Sequence, residues 1–326
     1  MSIAVAPRQP IEATPLPPVV APTVRRCYDV LDLCRGCGII DFTDGKYIDS
    51  CNDRTGYLAA QRRQAAYLLD QVDCLRGSRL LDIGCGYGRI LQAATARGAV
   101  ATGLTISPPQ MANCRRRGID VRLCNYRELF TRGDYESWEH AFDGIIANGS
   151  LEHFVQCEDA ATGRADAMYS EFFDVCYRLL SPGGKLATTA IHMRRAGQWN
   201  AADLLGEPGR WPKGSEHFHI ADVLHNFGGW YPEPGQLERC AEGRFRLIAA
   251  EDGTHDYYLT SEYWMRQIRR SLALNPRAWF SALRVFVRQP RAALEMMRCL
   301  LRDESWNYQF RAPAPTVLWR QTWVAV

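Results

Sequence analysis

Leu80-Leu-Asp-Ile-Gly-Cys-Gly-Tyr-Gly, residues 80–88, is the stretch that decides how this chain of 326 residues folds. Arg79-Leu-Leu-Asp-Ile reads as a short buried strand. Glycines at 84, 86 and 88 end it, and Ile90-Leu-Gln-Ala-Ala-Thr-Ala then has the spacing of a helix. Glycine lets the backbone turn sharply and approach a ligand closely. The spacing is not the G-x-G-x-x-G of dinucleotide sites, so the helix need not receive a pyrophosphate. Taken alone, G-x-G-x-G also fits a mere tight turn. Asp82, two residues before the first glycine, is placed to meet a cationic or hydroxyl-bearing ligand.

The same rhythm continues outward. Strands are predicted at Ala99–Thr105, Asp120–Cys124, Phe142–Asn148 and Lys185–Ile191, the last after the turn Ser181-Pro-Gly-Gly. Helices are predicted from Pro108, with prolines in its first turn, and over Met168–Leu180. Alternation at this spacing predicts an α/β fold, a parallel sheet covered by helices on both faces. Upstream, Val24–Val72 reads as helical. Residues 1–24 carry six prolines, which remove backbone donors, so a disordered tail is expected there. Downstream, 192–235 is rich in Trp, Gly, Pro and His and reads as an irregular excursion of the kind that covers a site. Residues 245–250 and 316–326 read as closing strands, with helix between them. The organisation expected is a tail over 1–24 and one domain over 25–326.

Composition bounds the function. With 47% apolar and 23% charged residues the chain has ample core material and is neither disordered nor fibrous. No apolar run approaches a membrane span. The amino terminus has no basic head followed by an apolar stretch, so no secretory signal is expected. The 12 cysteines then read as reduced thiols of a cytoplasmic protein. A net charge of +3 gives no argument for nucleic acid. His217, His219 and His225 lack a matching carboxylate or cysteine set, and Cys34 and Cys37 form a lone pair, so no metal is expected.

Leu80–Gly88 resembles motif I of the methyltransferases that use S-adenosylmethionine (SAM), a doubly wound Rossmann-like fold. Gly103-Leu-Thr-Ile-Ser-Pro-Pro-Gln is similar to the G-[VL]-T-[IL]-S-x-x-Q segment of the cyclopropane fatty acid synthases within that group. Most SAM methyltransferases end this strand with an acid for the ribose; here Thr105, Ser107 and Gln110 are neutral partners. Asn125-Tyr-Arg-Glu-Leu resembles the segment that sets Tyr126 and Arg127 beside the adenine. Asp82, Gly84 and Gly86 complete the cofactor residues that the resemblance implies. Phe310-Arg and Leu318-Trp resemble the family's closing strand.

The resemblance also implies an acceptor site, with 192–235 and 261–305 as insertions covering it. The implied reaction alkylates an alkene of a lipid or isoprenoid through a carbocation, with cyclopropanation or methylation as the outcome. In the synthases a bound bicarbonate ion removes the proton. Ser150-Leu-Glu-His-Phe makes Glu152 the carboxylate that holds bicarbonate and puts His153 on the cofactor side. Tyr257, followed by Thr260 and Trp264, matches the tyrosine that also contacts the ion. Asp-Ser-Cys places Ser50 at the methionine moiety and Cys51 at the acceptor, although Asp49 replaces the family's tyrosine. The family's histidine position is Thr189; His192 is displaced from it, and His255 is a candidate substitute. Simpler readings stand beside these: Glu152 as a helix cap, Tyr257 as a packed tyrosine with a satisfied hydroxyl, Cys51 as a small buried apolar residue. A small-molecule C- or N-methyltransferase of specialised metabolism is the alternative function.

Between Met265 and Arg302 stand nine arginines and a single acid, Glu295, interleaved with Trp279, Phe280, Leu283, Val285, Phe286 and Val287. Such a segment, 265–302, fits an anionic membrane surface, here the inner membrane, or a solvated face with arginine stems packed on the core. Oligomeric state is not legible.

Overall fold

The structure is a computed structural model and describes residues 27, 31, 34–39, 41–130 and 135–326. The expected tail, 1–24, lies outside them. Seven strands form one sheet in the order β3-β2-β1-β4-β5-β7-β6. They are β1 (Arg79–Ile83), β2 (Val100–Thr105), β3 (Val121–Leu123), β4 (Phe142–Asn148), β5 (Leu180–Met193), β6 (Phe245–Asp252) and β7 (Thr316–Ala325). β1 to β5 pair in parallel; β7 runs antiparallel between β5 and β6. This is the doubly wound Rossmann-like architecture of SAM methyltransferases. The order reverses between β1 and β4, and a crevice at such a switch point is where these sheets take ligands.

The helices used below are α1 (Arg54–Gln71), α2 (Arg89–Ala96), α3 (Pro108–Arg116), α4 (Ala165–Leu179), α5 (Glu216–Phe227), α6 (Thr254–Leu274) and α7 (Pro276–Arg288). Gly88, at φ 77, caps α2 where a β-carbon would press on Ile119 and Cys114. Leu80, Leu81 and Ile83 of β1 are buried on both faces of the sheet, as a central parallel strand requires.

Two readings are corrected. The helical reading of 24–72 holds at 27, 31, 34–36 and over α1, but 39 and 41–53 are irregular. That segment is tied down by Arg320 of β7. The guanidinium is fully buried and bonds Asp44 Oδ2 at 2.5 Å, Asp256 Oδ2 of α6 at 2.8 Å and the Gly45 carbonyl at 3.0 Å. Burial pushes Asp44 up to about 6 against the pull of Arg320. The excursion 192–235 is not irregular throughout either. Ser215 caps α5 by accepting from the Phe218 N–H, and Phe218, Ile220, Ala221, Leu224 and Phe227 are buried at helical spacing. Proline and tryptophan around that segment had masked a twelve-residue helix.

Candidate active site

A cavity of about 620 Å³ opens at the carboxyl ends of β1 to β4, a volume typical of small-molecule sites. Its floor is Ile83, Gly84 and Gly86 after β1, Thr105 and Ile106 after β2, Asn125 to Arg127 after β3, and Asn148 to Ser150 after β4. Gly84 sits at φ 82, and a β-carbon there would stand 2.8 Å from Ser150 Cβ. Gly86, at φ 51, faces open space that a side chain would fill. Both positions therefore need glycine for conformation, and Gly84 for closeness as well.

Thr105 and Gln110 reach the cavity together. The Thr105 hydroxyl donates to Gln110 Oε1 at 2.7 Å and accepts from the Ser107 N–H at 3.1 Å. That leaves the Gln110 amide nitrogen for an acceptor in the cavity. Ser107 itself does not line it: its hydroxyl caps α3 by accepting from the Gln110 N–H, a correction to its reading as a direct ligand. Tyr126 lies on the wall against Phe154 (ring centroids 4.6 Å) and Phe172, and its buried hydroxyl has no partner. Arg127 also lines the wall, fixed by Glu171 at 2.7 Å.

Asp82 is enclosed at the end of β1 and is absent from the cavity wall. Burial, with Asp41 nearby, pushes its carboxyl up to about 8. Asp41 does reach the wall, ion-paired to Arg89 at 2.5 Å. Ser50 and Cys51 are likewise corrected, because both are exposed and neither lines the cavity. Asp53 caps α1 and Asp49 accepts from the Cys51 N–H at 2.9 Å, a turn that presents 49–51 to solvent. Cys51 is thus not the buried apolar residue of the simpler reading either.

Glu152 and His153 stand on a 3₁₀ turn after β4, both on the wall. Desolvation pushes Glu152 up to about 8, although backbone amides of Glu152 and Ile191 hold its carboxylate and pull the other way. Its Oε2 is buried without a partner. Burial lowers His153 to about 4, so its imidazole is neutral. At the histidine position of the resemblance, the Thr189 hydroxyl donates to Asn148 Oδ1 at 2.8 Å and accepts from the Gly149 N–H at 2.8 Å. His192 is buried, held neutral with its imidazole lowered to about 3, and off the wall. His255 is exposed and does not substitute for it.

Beyond Glu152 the cavity becomes an apolar chamber of Phe227, Tyr257, Trp264, Met265, Ile268, Leu300 and Trp306. Tyr257 stacks on Phe310 (4.3 Å) and meets Trp306 edge-on (5.8 Å). Its hydroxyl donates to the Phe42 carbonyl at 3.1 Å, so the satisfied-hydroxyl reading describes it while it still lines the site. Trp264 donates to the Tyr57 hydroxyl at 3.2 Å. Sequence reasoning missed Asp41, Asn148, Phe227 and Trp306. Only Asn148 carried a signal, a polar residue closing an apolar strand. The candidate histidines of α5 pack elsewhere: His219 stacks on Tyr308 and His225 faces Glu295 at 3.5 Å.

The sequence profile of the family described as mycolic acid cyclopropane synthetase matches residues 47–275. The chain belongs to that family. As a cyclopropane synthetase family member it is a SAM-dependent methyltransferase. Cyclopropane mycolic acid synthase 3 of Mycobacterium tuberculosis is 27% identical over 209 residues, 63% of this chain and 67% of that protein. Among solved structures, the cyclopropane synthase MmaA2 of M. tuberculosis matches with a TM-score of 0.69 at 19% identity, covering 93% of this chain and 97% of that one. The mycolic acid cyclopropane synthase CmaA1 complexed with SAH and CTAB matches at 0.67 and 18% identity, covering 95% and 99%. At these identities the structural matches establish the shared fold.

The residues present fit SAM. Gly86 leaves open the space a side chain would take, the Tyr126 hydroxyl is buried without a partner, and the wall carries the Asp41 carboxylate, shared with Arg89. When bound, SAM supplies a methyl group on a sulfonium centre, already a strong electrophile. Among the described residues no helix is long and apolar enough to cross a membrane.

Proposed function

We propose that this methyltransferase alkylates an alkene carbon of a lipid or isoprenoid acceptor, with Glu152 as the group that takes up the proton released from the product cation. Thr105 and Gln110 would hold the ribose hydroxyls, Tyr126 and Arg127 the adenine, and the glycine loop with His153 the remainder of the cofactor. The acceptor fits the apolar chamber, whose aromatic faces favour a passing positive charge. In this reading the alkene's electron pair would form the new carbon–carbon bond to the methyl group as the methyl–sulfur bond breaks, its electron pair staying on the sulfur of the departing thioether, and the adjacent alkene carbon would become cationic. Ionised Glu152 then takes a proton through Oε2. Burial makes its carboxylate an unusually strong base. The observation that carries the proposal is that unpartnered Oε2 beside an apolar, aromatic chamber.

Bicarbonate fits less well than Glu152 acting alone. The two hydroxyls at its expected positions, those of Tyr257 and Thr189, already donate to Phe42 and Asn148. The test is mass spectrometry of a lipid extract and of a soluble metabolite pool, each incubated with the protein and trideuteromethyl-SAM. A labelled lipid that has lost one deuterium supports alkylation followed by deprotonation of the new methyl. Label appearing whole and only in the soluble pool would overturn the reading and favour a small-molecule acceptor.

A further inference from the structure

Helix α7 reverses the usual surface pattern. It rests on the body through Ala278 and Ala282, both buried. Its outward side carries Trp279, Phe280, Leu283 and Val287, each 57–75% exposed. At 100° per residue these four form one stripe. Surface helices ordinarily turn such a stripe inward, and a contiguous exposed one marks an interaction site. Arg277, Arg284 and Arg288 flank it on one side, exposed and in no ion pair among the described residues.

The stripe lies on the outer side of the acceptor chamber. α7 abuts Gly36, where a β-carbon would stand 2.4 Å from Ser281 Cβ. Nearby Cys34 and Leu31 line the cavity, as do Met265 and Ile268 of the preceding helix.

We propose that the outward face of α7 docks on an anionic lipid bilayer. The rings of Trp279 and Phe280 with Leu283 and Val287 would enter the headgroup–acyl boundary, and the arginines would meet the phosphates. This rests on the lipid-acceptor reading and adds the phase from which the acceptor comes. Charge chooses the occupant. A second copy in a two-fold contact would bring arginines against arginines. The amino-terminal 26 residues carry Arg8, Arg25 and Arg26 against Glu12 alone, the wrong sign to cover a basic face.

The test is flotation of the full chain with phosphatidylcholine vesicles, with and without about 30% phosphatidylglycerol. Binding should need the anionic lipid and weaken as salt rises. The paired changes Phe280→Ser with Val287→Ser, and Arg284→Glu with Arg288→Glu, should each lower it by about tenfold, or ~1.4 kcal/mol. SAM affinity measured by calorimetry should stay at the wild-type value, which excludes misfolding. Absence of binding, or binding that both pairs leave intact, overturns the proposal. So does a dimer in analytical ultracentrifugation that either pair converts to monomer. Detergent-dispersed lipid needs no docking: turnover there without vesicle binding overturns the docking alone. Vesicle binding without turnover on any lipid supports the docking and overturns the acceptor assignment.

Discussion

The Trp230 backbone N–H donates to the Glu152 carbonyl at 2.8 Å, with Gly229 pressed so close that a β-carbon would stand 2.0 Å from that oxygen. Gly229 is at φ 92, where side chains are strained as well as crowded. The far end of the 192–235 excursion thus clamps the turn that presents Glu152. Gly229→Ala must push the two apart. A displacement near an ångström costs roughly a hundredfold in turnover, and the strained backbone costs about 1–3 kcal/mol of stability. A β-carbon there also meets the His153 backbone at 3.4 Å, so SAM affinity should weaken too, by less than turnover. Steady-state kinetics beside calorimetry separates the two effects.

Protonation of Glu152 should be visible in stability. Its ordinary value is 4.5 and burial raises it to about 8 in the folded chain. Between those values the folded state holds more protons than the unfolded one. The contribution is therefore fully favourable at low pH, is lost as pH rises through the window, and levels off above about 8. Glu152→Gln removes the dependence. Its melting temperature should gain on wild type as pH rises from 5 to 9, roughly the interval between the two pKa values. Thermal melts across that range measure the difference.

The same substitution should remove turnover. A base that must be ionised makes kcat/KM of the wild type rise with pH through about 8. Glu152→Gln should lose roughly 10²- to 10⁴-fold and flatten the profile. Retained activity in that variant would exclude Glu152 as the proton acceptor.

Thr189 replaces an expected histidine with a hydroxyl that joins β5 to the end of β4. Thr189→Val removes the donor to the Asn148 amide oxygen in the interior, while the Gly149 N–H keeps the backbone carbonyl of residue 189 at 3.1 Å. Unsatisfied buried groups of this kind cost about 1–3 kcal/mol. Denaturant titration should show that loss, with a lower kcat because Gly149 leads into the Glu152 turn.

Tyr257→Phe tests the opposite expectation. Its hydroxyl donates to Phe42, and its ring supplies the wall. The variant should lose about 1 kcal/mol of stability and keep turnover within a fewfold of wild type. A loss of two orders of magnitude would instead give the hydroxyl a direct part in proton removal.

The parallel sheet was readable because its signals are local. Apolar runs ended by glycine or proline and followed by helical spacing gave β1 and β4 with the observed bounds, and β2 to within a residue. Thr105, Gln110, Tyr126, Arg127 and Glu152 follow strand ends, so finding the strands finds the cavity rim. Ser50 and Cys51 failed for want of such an anchor: a capped turn, not a strand end, decides where they point. The α5 helix is hard to read because its breakers, among them Pro212 and Gly228, lie just outside it and obscure its bounds.

The sequence by itself determined the order of strands and helices, the glycine loop and the polar residues at strand ends, because neighbours in the chain determine periodicity and turn geometry. Only the tertiary structure decided that Trp230 would hold Glu152 from 78 positions away. It also decided that Thr189 would bond Asn148, and that the apolar stripe of α7 would face outward. Those outcomes depend on which surfaces the folded chain buries against each other, and burial is a property of the whole packing and of no short segment.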